Sequence, residues 1–390
     1  MNLNNCLRIL FALSLTTGAA VQAQPIGSDT TIAYTMPLLA KTPTGAVMLT
    51  WTEKDAKGDG AFCMAQSDDK GKTFSPKQIV YAGSGVSGSR LMRPKVMFKK
   101  DGSMVAVFSN RADVDGKRTL QVMATSSTDK GMTWSAPKPV DSDLTPCVRG
   151  FFDAVMLPND ELAVAYLKDV AGSTKHEERN LRLVLTKNGV FQPERIIDEV
   201  VCDCCNVSLL VDANDALQVY YRDNNDDVRD MANMTSTDNG LTFSRPQILF
   251  TDNWKIAGCP HSGAASTTYG KSNLITWFSG TEADKGIRLV TQDGKRLVLA
   301  NDPTARNGYV ATQNQKAVFL WDQTNGNSPQ IAYRTINGDK ASAINWLNGS
   351  TNGINPSALV LDNQLLVAYE VRNANKKNGL KWSLVSLAAN

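Results

Sequence analysis

Three octets decide the fold: Ser67–Phe74 (SDDKGKTF), Ser127–Trp134 (STDKGMTW) and Ser236–Phe243 (STDNGLTF) share the pattern Ser-x-Asp-x-Gly-x-Thr-aromatic. An Asp side chain accepts bonds from backbone amides a few residues on, and Gly supplies a positive φ at no steric cost. The aromatic residue then tucks beneath the turn. Each octet therefore reads as a self-contained hairpin turn between two strands. One match would be weak, whereas three at comparable places in a repeat define an architecture.

A second pattern precedes each turn: an alternating apolar strand, a short Gly, Asn or Asp turn, and another apolar strand. It reads MPLLAKTPTGAVMLTW from Met36, RPKVMFKKDGSMVAVF from Arg93, FFDAVMLPNDELAVAY from Phe151 and CNVSLLVDANDALQVYY from Cys205. It continues as SGAASTTYGKSNLITWF from Ser262, GYVATQNQKAVFLW from Gly308 and NPSALVLDNQLLVAY from Asn355. The copies recur at roughly fifty residues, the period of a four-stranded propeller blade. Where the octet is missing, relics remain at 187–189 (KNG), 292–294 (QDG) and 336–338 (ING). The seventh unit has three strands after residue 353, and Ser28–Tyr34 (SDTTIAY) is expected to supply a fourth and close the ring. The expected fold is an all-β β-propeller of four-stranded blades. Seven units are counted, or six blades if two units share one.

The first 23 residues differ from the rest. A short polar start with one Arg precedes the apolar run ILFALSLTTGAAV, and VQA ending at Ala23 fits the small-residue cleavage pattern of a secretory signal. The run is too short to span a bilayer. Residues 1–23 are thus expected to be a signal peptide and 24–390 one propeller domain, secreted or periplasmic. The formal charge of +3 is scattered, which excludes an electrostatic footprint for nucleic acid, and no membrane span is expected.

The mature chain would carry six cysteines, and three of them fall within VCDCCN (201–206). In a propeller the octets and the tight strand-one-to-two turns share one face. The opposite face carries the start of each inner strand and the strand-two-to-three loops. Cys147, the Cys202, Cys204 and Cys205 group, and Cys259 with His261 all precede inner strands of consecutive units on that face. His176 belongs to a strand-two-to-three loop of the same face, and Cys63 is the outlier. Exported cysteines commonly pair, and a Cys202–Cys259 or Cys147–Cys205 bridge would staple neighbouring blades. The adjacent Cys204 and Cys205 are poorly placed to bond each other. Thiolates with at most one imidazole also suit Cu(I) or Zn(II). On that reading Cys202, Cys204, Cys205, Cys259 and His261 are ligands, Cys147 is a second-tier candidate, and the thioethers of Met36 and Met92 would favour copper. A nucleophilic thiol is the third alternative. Nearby, Arg222, Asp223, Asp226, Asp227, Arg229 and Asp230 occupy a strand-two-to-three loop, where paired Arg and Asp suit a small anionic or carbohydrate ligand. Arg222, Asp223, Arg229 and Asp230 are the ligand-binding candidates.

The octets are identified as the Asp boxes, or BNR repeats, of the sialidase-like superfamily, which resembles this chain over nearly its whole mature length. CDCC, RD…VRD and GCP together look like an exported bacterial sub-family of BNR-repeat proteins. The resemblance implies a glycoside hydrolase with an arginine triad, a Tyr nucleophile paired with a Glu, and an Asp acid/base. The first arginine is expected in a Phe/Tyr-Arg-Ile-Pro motif, where this chain reads Tyr34-Thr35-Met36-Pro37. The nucleophile is expected in a Tyr-Ser-x-Leu motif, where Pro356 takes the tyrosine's place. Arg93 and Tyr309 are displaced substitutes, and with Arg222 they complete the weak catalytic candidates. The sequence reading is a soft-metal-binding propeller that does not hydrolyse sialosides. The alternatives are an exo-sialidase-like hydrolase or carbohydrate binder, and a disulfide-stapled scaffold that binds another protein.

Overall fold

Apolar alternation between turn residues produces hairpins, and in the computed structural model nearly every strand pairs with its sequence neighbour. The structure describes residues 26–114, 116–143, 145–170 and 179–387; the proposed signal peptide and His176 lie outside them. The strands form seven antiparallel sheets. Blade I comprises Ala33–Lys41, Val47–Lys54, Gly60–Ser67 and Gln78–Gly83, and blade II Lys95–Phe98, Met104–Val114, Lys117–Ser127 and Lys138–Pro139. Blade III runs from Arg149–Met156 to Arg195–Val201, and blade IV from Ser208–Val211 to Gln247–Phe250. Blade V spans Ala265–Tyr269 to Arg296–Ala300, and blade VI Arg306–Gln313 to Asn345–Trp346. Blade VII has Gly353–Leu361, Gln364–Val371 and Gly379–Ser386.

At six of the seven junctions, all but that between blades I and II, the first strands of neighbouring blades touch one another, so they surround the axis. One apolar cluster fills each of the seven junctions, including that between blades VII and I. The ring is therefore a closed seven-bladed β-propeller, and the six-bladed alternative falls away. Face-to-face stacking explains why second strands lose their alternation: seven consecutive residues of Val47–Glu53 are buried. The expected fourth strand of blade VII is realised only in part. Residues 26–32 pack along Gly379–Ser386 through Ile26, Ile32 and Trp382, and Tyr34 N donates to Asn378 O, but no ladder forms.

Each octet freezes its own turn. Asp129 accepts the Thr133 amide at 2.9 Å, the Thr133 hydroxyl at 2.6 Å and the Ser127 hydroxyl at 2.8 Å. Asp69 and Asp238 repeat this set. The Thr hydroxyl foremost, then the Thr amide, holds all three carboxyls at about 2, below their ordinary 3.8. The octets are nevertheless not self-contained, because each one latches the preceding blade. Gly71 sits on Leu366 of blade VII, Gly131 on Met64 of blade I, and Gly240 on Leu185 of blade III. The aromatic residues follow: Phe74 meets Trp382 edge-on at 5.1 Å, and Trp134 and Phe243 pack into the junctions behind them. In blade III, which lacks an octet, Glu161 accepts the Asn188 and Gly189 amides instead.

Gly71 (φ +85) and Gly102 (φ +84) separate the two demands on a turn glycine. A Cβ at Gly71 would lie 2.4 Å from Leu366 Cδ2, whereas nothing lies within 4 Å at Gly102. Gly71→Ala should cost about 2–4 kcal/mol of unfolding free energy, and Gly102→Ala only about 1 kcal/mol. Equal losses in denaturant titrations would show that the octet does not act as a latch.

Candidate functional site

The loop from Val201 to Val207 joins the outermost strand of blade III to the innermost strand of blade IV. Its backbone is held at both ends: Cys202 N donates to Arg222 O at 3.1 Å, and Val207 N to Phe151 O at 3.1 Å. The side chains of Cys202, Cys204 and Cys205 consequently turn inward. They are 1, 4 and 3 % exposed and share one small cluster with Phe151. Cys202 Sγ lies 3.9 Å from Cys204 Sγ and 3.6 Å from Cys205 Sγ. These separations are far beyond an S–S bond of about 2.05 Å, and all six described cysteines are free. The inter-blade staples are therefore not formed in this structure.

Cys259 reaches the same place from the loop between blades IV and V. Its Sγ lies 3.4 Å from Asp203 Oδ1, and ligand atoms of Asp203, Cys204 and Cys259 fall within 4.8 Å of one another. The three loop thiols form a second such group, so Cys204 belongs to both. Asp203 lies inside the VCDCCN motif but was not counted as a ligand. Its signal was present, because a carboxylate between cysteines is an ordinary metal ligand.

The protons in the cluster are unequally placed. Burial alone would raise the Cys205 thiol. Hydrogen bonds from Cys202 and Cys204, the Arg222 charge and the Ser262 amide (3.4 Å to Sγ) together pull it well below the usual thiol range. The Cys204 thiol is raised in consequence, because its hydrogen bonds to Cys202 and Cys205 hold its proton. The Cys202 thiol is pushed up to about 11: its bond with Cys204 works against the rise, and its bond with Cys205 and burial prevail. Within the cluster, negative charge is thus favoured at Cys205 over Cys202 and Cys204.

His261 lies apart from this group. It is exposed, its Nδ1 is 2.9 Å from Cys259 O, and its ring lines the central cavity. Cys147 is half-buried on the approach to blade III and joins neither thiol group. Met36 and Met92 are buried within blades I and II, where Met92 Sδ accepts the Ser109 hydroxyl at 3.5 Å. The expected thioether contribution is therefore withdrawn.

The acidic loop of blade IV is tied to the main chain around it. Arg222 is 1 % exposed and donates to the carbonyls of Ser262, Phe278 and Arg229, with Trp254 stacked over its guanidinium. It ties blade IV to blade V and presents no free edge to a ligand. Asp230 accepts the Asn253 and Trp254 amides, and Asp223 the Asn224 amide and the Asn225 side chain. Arg229 N donates to Trp254 O, and its guanidinium contacts Asp227 at 3.2 Å. These residues strap the Cys259 loop into place.

At the axis, a cavity of about 420 Å³ opens among the inner-strand starts. Arg90, Arg93, Lys95, Arg306 and Tyr309 line it, and Lys95 is paired with Asp153. Arg93 and Tyr309, separated in sequence, meet here with the guanidinium 5.6 Å from the ring centre. Arg93 donates to Asn355 and to Pro356 O. Behind the wall, burial pushes the Asp322 carboxyl up to about 6. Asp322, Arg90 and Arg306 carried no motif and escaped sequence reading. The cavity and the thiol cluster share a wall: Asn206 binds the backbone of Gly263 and Ala264, and a Cβ at Gly263 would lie 2.0 Å from Asn206 O.

The family model described as BNR repeat-like domain matches residues 88–328. No curated protein matches the chain in sequence. A protein of unknown function from Dyadobacter fermentans DSM 18053 is similar in structure, with a TM-score of 0.56 at 14 % identity, covering 93 % of this chain and 97 % of that one. The Hadza microbial sialidase Hz136 superposes with a TM-score of 0.52 at 14 % identity, covering 91 % of this chain and 66 % of the sialidase. At these identities the likeness establishes the sialidase-like fold. Among the described residues no helix is long and apolar enough to cross a membrane.

Removing Arg222 would leave several buried carbonyls unpaired. Arg222→Ala should therefore lower stability by about 3 kcal/mol or more, read from denaturant midpoints. A variant of parental stability that had lost affinity for an anionic ligand would restore Arg222 as a binding residue.

Proposed function

The chain belongs to the BNR repeat-like domain family, and on that premise we propose that it is an exported propeller that binds a thiophilic metal ion through its cysteine cluster. The observation that carries this reading is the spacing of the thiols. With metal–sulfur bonds of about 2.3 Å, neighbouring sulfurs lie about 3.8 Å apart in a tetrahedral site and about 4.0 Å apart in a trigonal one. The sulfur separations of 3.9 and 3.6 Å lie within about 0.2 Å of the tetrahedral value. Three thiolates without imidazole suit Cu(I), since soft ligands select it and Zn(II) prefers four donors. Cys202, Cys204 and Cys205 are the ligands of this reading, with Cys259 beside them. Export would follow from the signal peptide at 1–23.

Binding exchanges protons for metal. Cys205 already lies towards the thiolate, whereas Cys202 and Cys204 must each lose a proton to solvent. Affinity should accordingly rise with pH across the neutral range and fall on acidification. The decisive experiment combines a free-thiol count on the mature protein, purified without reductant, with elemental analysis after exposure to Cu(I) or Zn(II). Four or more titratable thiols and bound metal are expected. Cys202→Ser should weaken binding by at least about tenfold; parental affinity in that variant would end the reading.

The central cavity favours a second reading, a glycoside hydrolase or binder of anionic saccharides. Three guanidinium groups, from Arg90, Arg93 and Arg306, surround a space able to hold a sugar ring, with Tyr309 against Arg93. Thr35 and Pro356, standing where the resemblance expects the first arginine and the nucleophile, weigh against sialoside hydrolysis. Turnover of a fluorogenic sialoside, abolished by Tyr309→Phe, would replace the metal reading with this one. No turnover is expected.

A further inference from the structure

We infer that the cluster is built for two metal ions bridged by the Cys204 thiolate, one buried and one facing solvent. This rests on the metal-binding reading above and deepens it. Two three-ligand groups meet at one sulfur: Cys202, Cys204 and Cys205 inside, and Asp203, Cys204 and Cys259 outside. Cys259 comes close to Asp203 and Cys204 but does not join the group of three buried thiols, so one ion cannot engage all five side chains. Thiolate sulfur has lone pairs enough to bind two soft ions at once, and Cys204 is the atom both groups share.

The outer group carries an independent sign of a missing cation. The Asp203 side chain is buried at 7 % exposure, yet among the described residues no lysine or arginine pairs with its carboxylate. Arg179, the nearest candidate, donates to the Asp203 backbone carbonyl and pairs with Asp169. The carboxylate's side-chain partner is the Cys259 thiol. A buried carboxylate is normally compensated by a positive charge, and a metal ion between Asp203 and Cys259 would supply it.

The two positions differ in access. Cys202, Cys204 and Cys205 are sealed beneath Phe151, while Cys259 is exposed. The outer ion would therefore exchange readily and the inner one slowly. An ion arriving at Cys259 and Asp203 can pass inward through Cys204 by exchange of ligands, without leaving sulfur. Each protonated thiol that becomes a ligand releases its proton to solvent, and the metal keeps its oxidation state throughout.

The test is anaerobic titration of the full mature chain with Cu(I) against a chromophoric chelator, with elemental analysis after desalting. Two ions per chain are expected, with unequal affinities. Cys259→Ser alters an exposed side chain and should fold as the parent, judged by its thermal midpoint; it should bind one ion, with the tighter affinity retained. Asp203→Asn should weaken the second ion and spare the first. One ion per chain in the parent, unchanged in Cys259→Ser, would overturn the two-ion site and leave the single-ion reading standing. No bound ion would overturn both.

Discussion

One carboxylate per octet carries the architecture. Asp69, Asp129 and Asp238 each tie a hydroxyl and an amide four residues on, and a Ser hydroxyl two residues back. The turn that results is too tight for any side chain at its glycine, so that glycine can lie directly on the neighbouring blade. Local hydrogen bonding is thereby converted into contact between blades. Blades without the octet differ: in blade III the Glu161 carboxylate holds the Asn188–Gly189 turn within the blade, and the Lys295–Asp339 pair links blades V and VI. Closure of the ring leaves no free sheet faces between blades, which is why second strands are buried throughout.

Because the octets and tight turns occupy one face, the other face holds the longer loops. Between blades III, IV and V those loops are packed as densely as a core. Arg222 gathers three backbone carbonyls, Asp230 caps the Trp254 strap, and Gly263 admits Asn206 at backbone contact. The thiols are buried by this scaffolding, and a guanidinium and an amide at the base favour a thiolate at Cys205. Preorganisation of this kind would spare the proposed metal site the ordering cost that a flexible cysteine loop would meet on binding. The central cavity is built on the same loops, so Ser262 serves one site with its amide and lines the other.

The octets and the apolar periodicity determined the all-β propeller, its faces and the junction where Cys202, Cys204, Cys205 and Cys259 converge, because these follow from local turn chemistry and from the strict alternation of a meander. Sequence could also single out Arg93 and Tyr309, which the structure brings together at the central cavity. Tertiary structure alone decided what those side chains do. Arg222 and Asp230 became struts, since their partners are main-chain atoms from loops distant in sequence, and backbone carries no residue signature. His261 turned to the cavity, whereas Asp203 turned to Cys259, because a loop residue's direction is set by the packing around it. The number of blades was likewise a matter of closure: seven apolar junctions, the last between the two ends of the chain, exist only once the ring is complete.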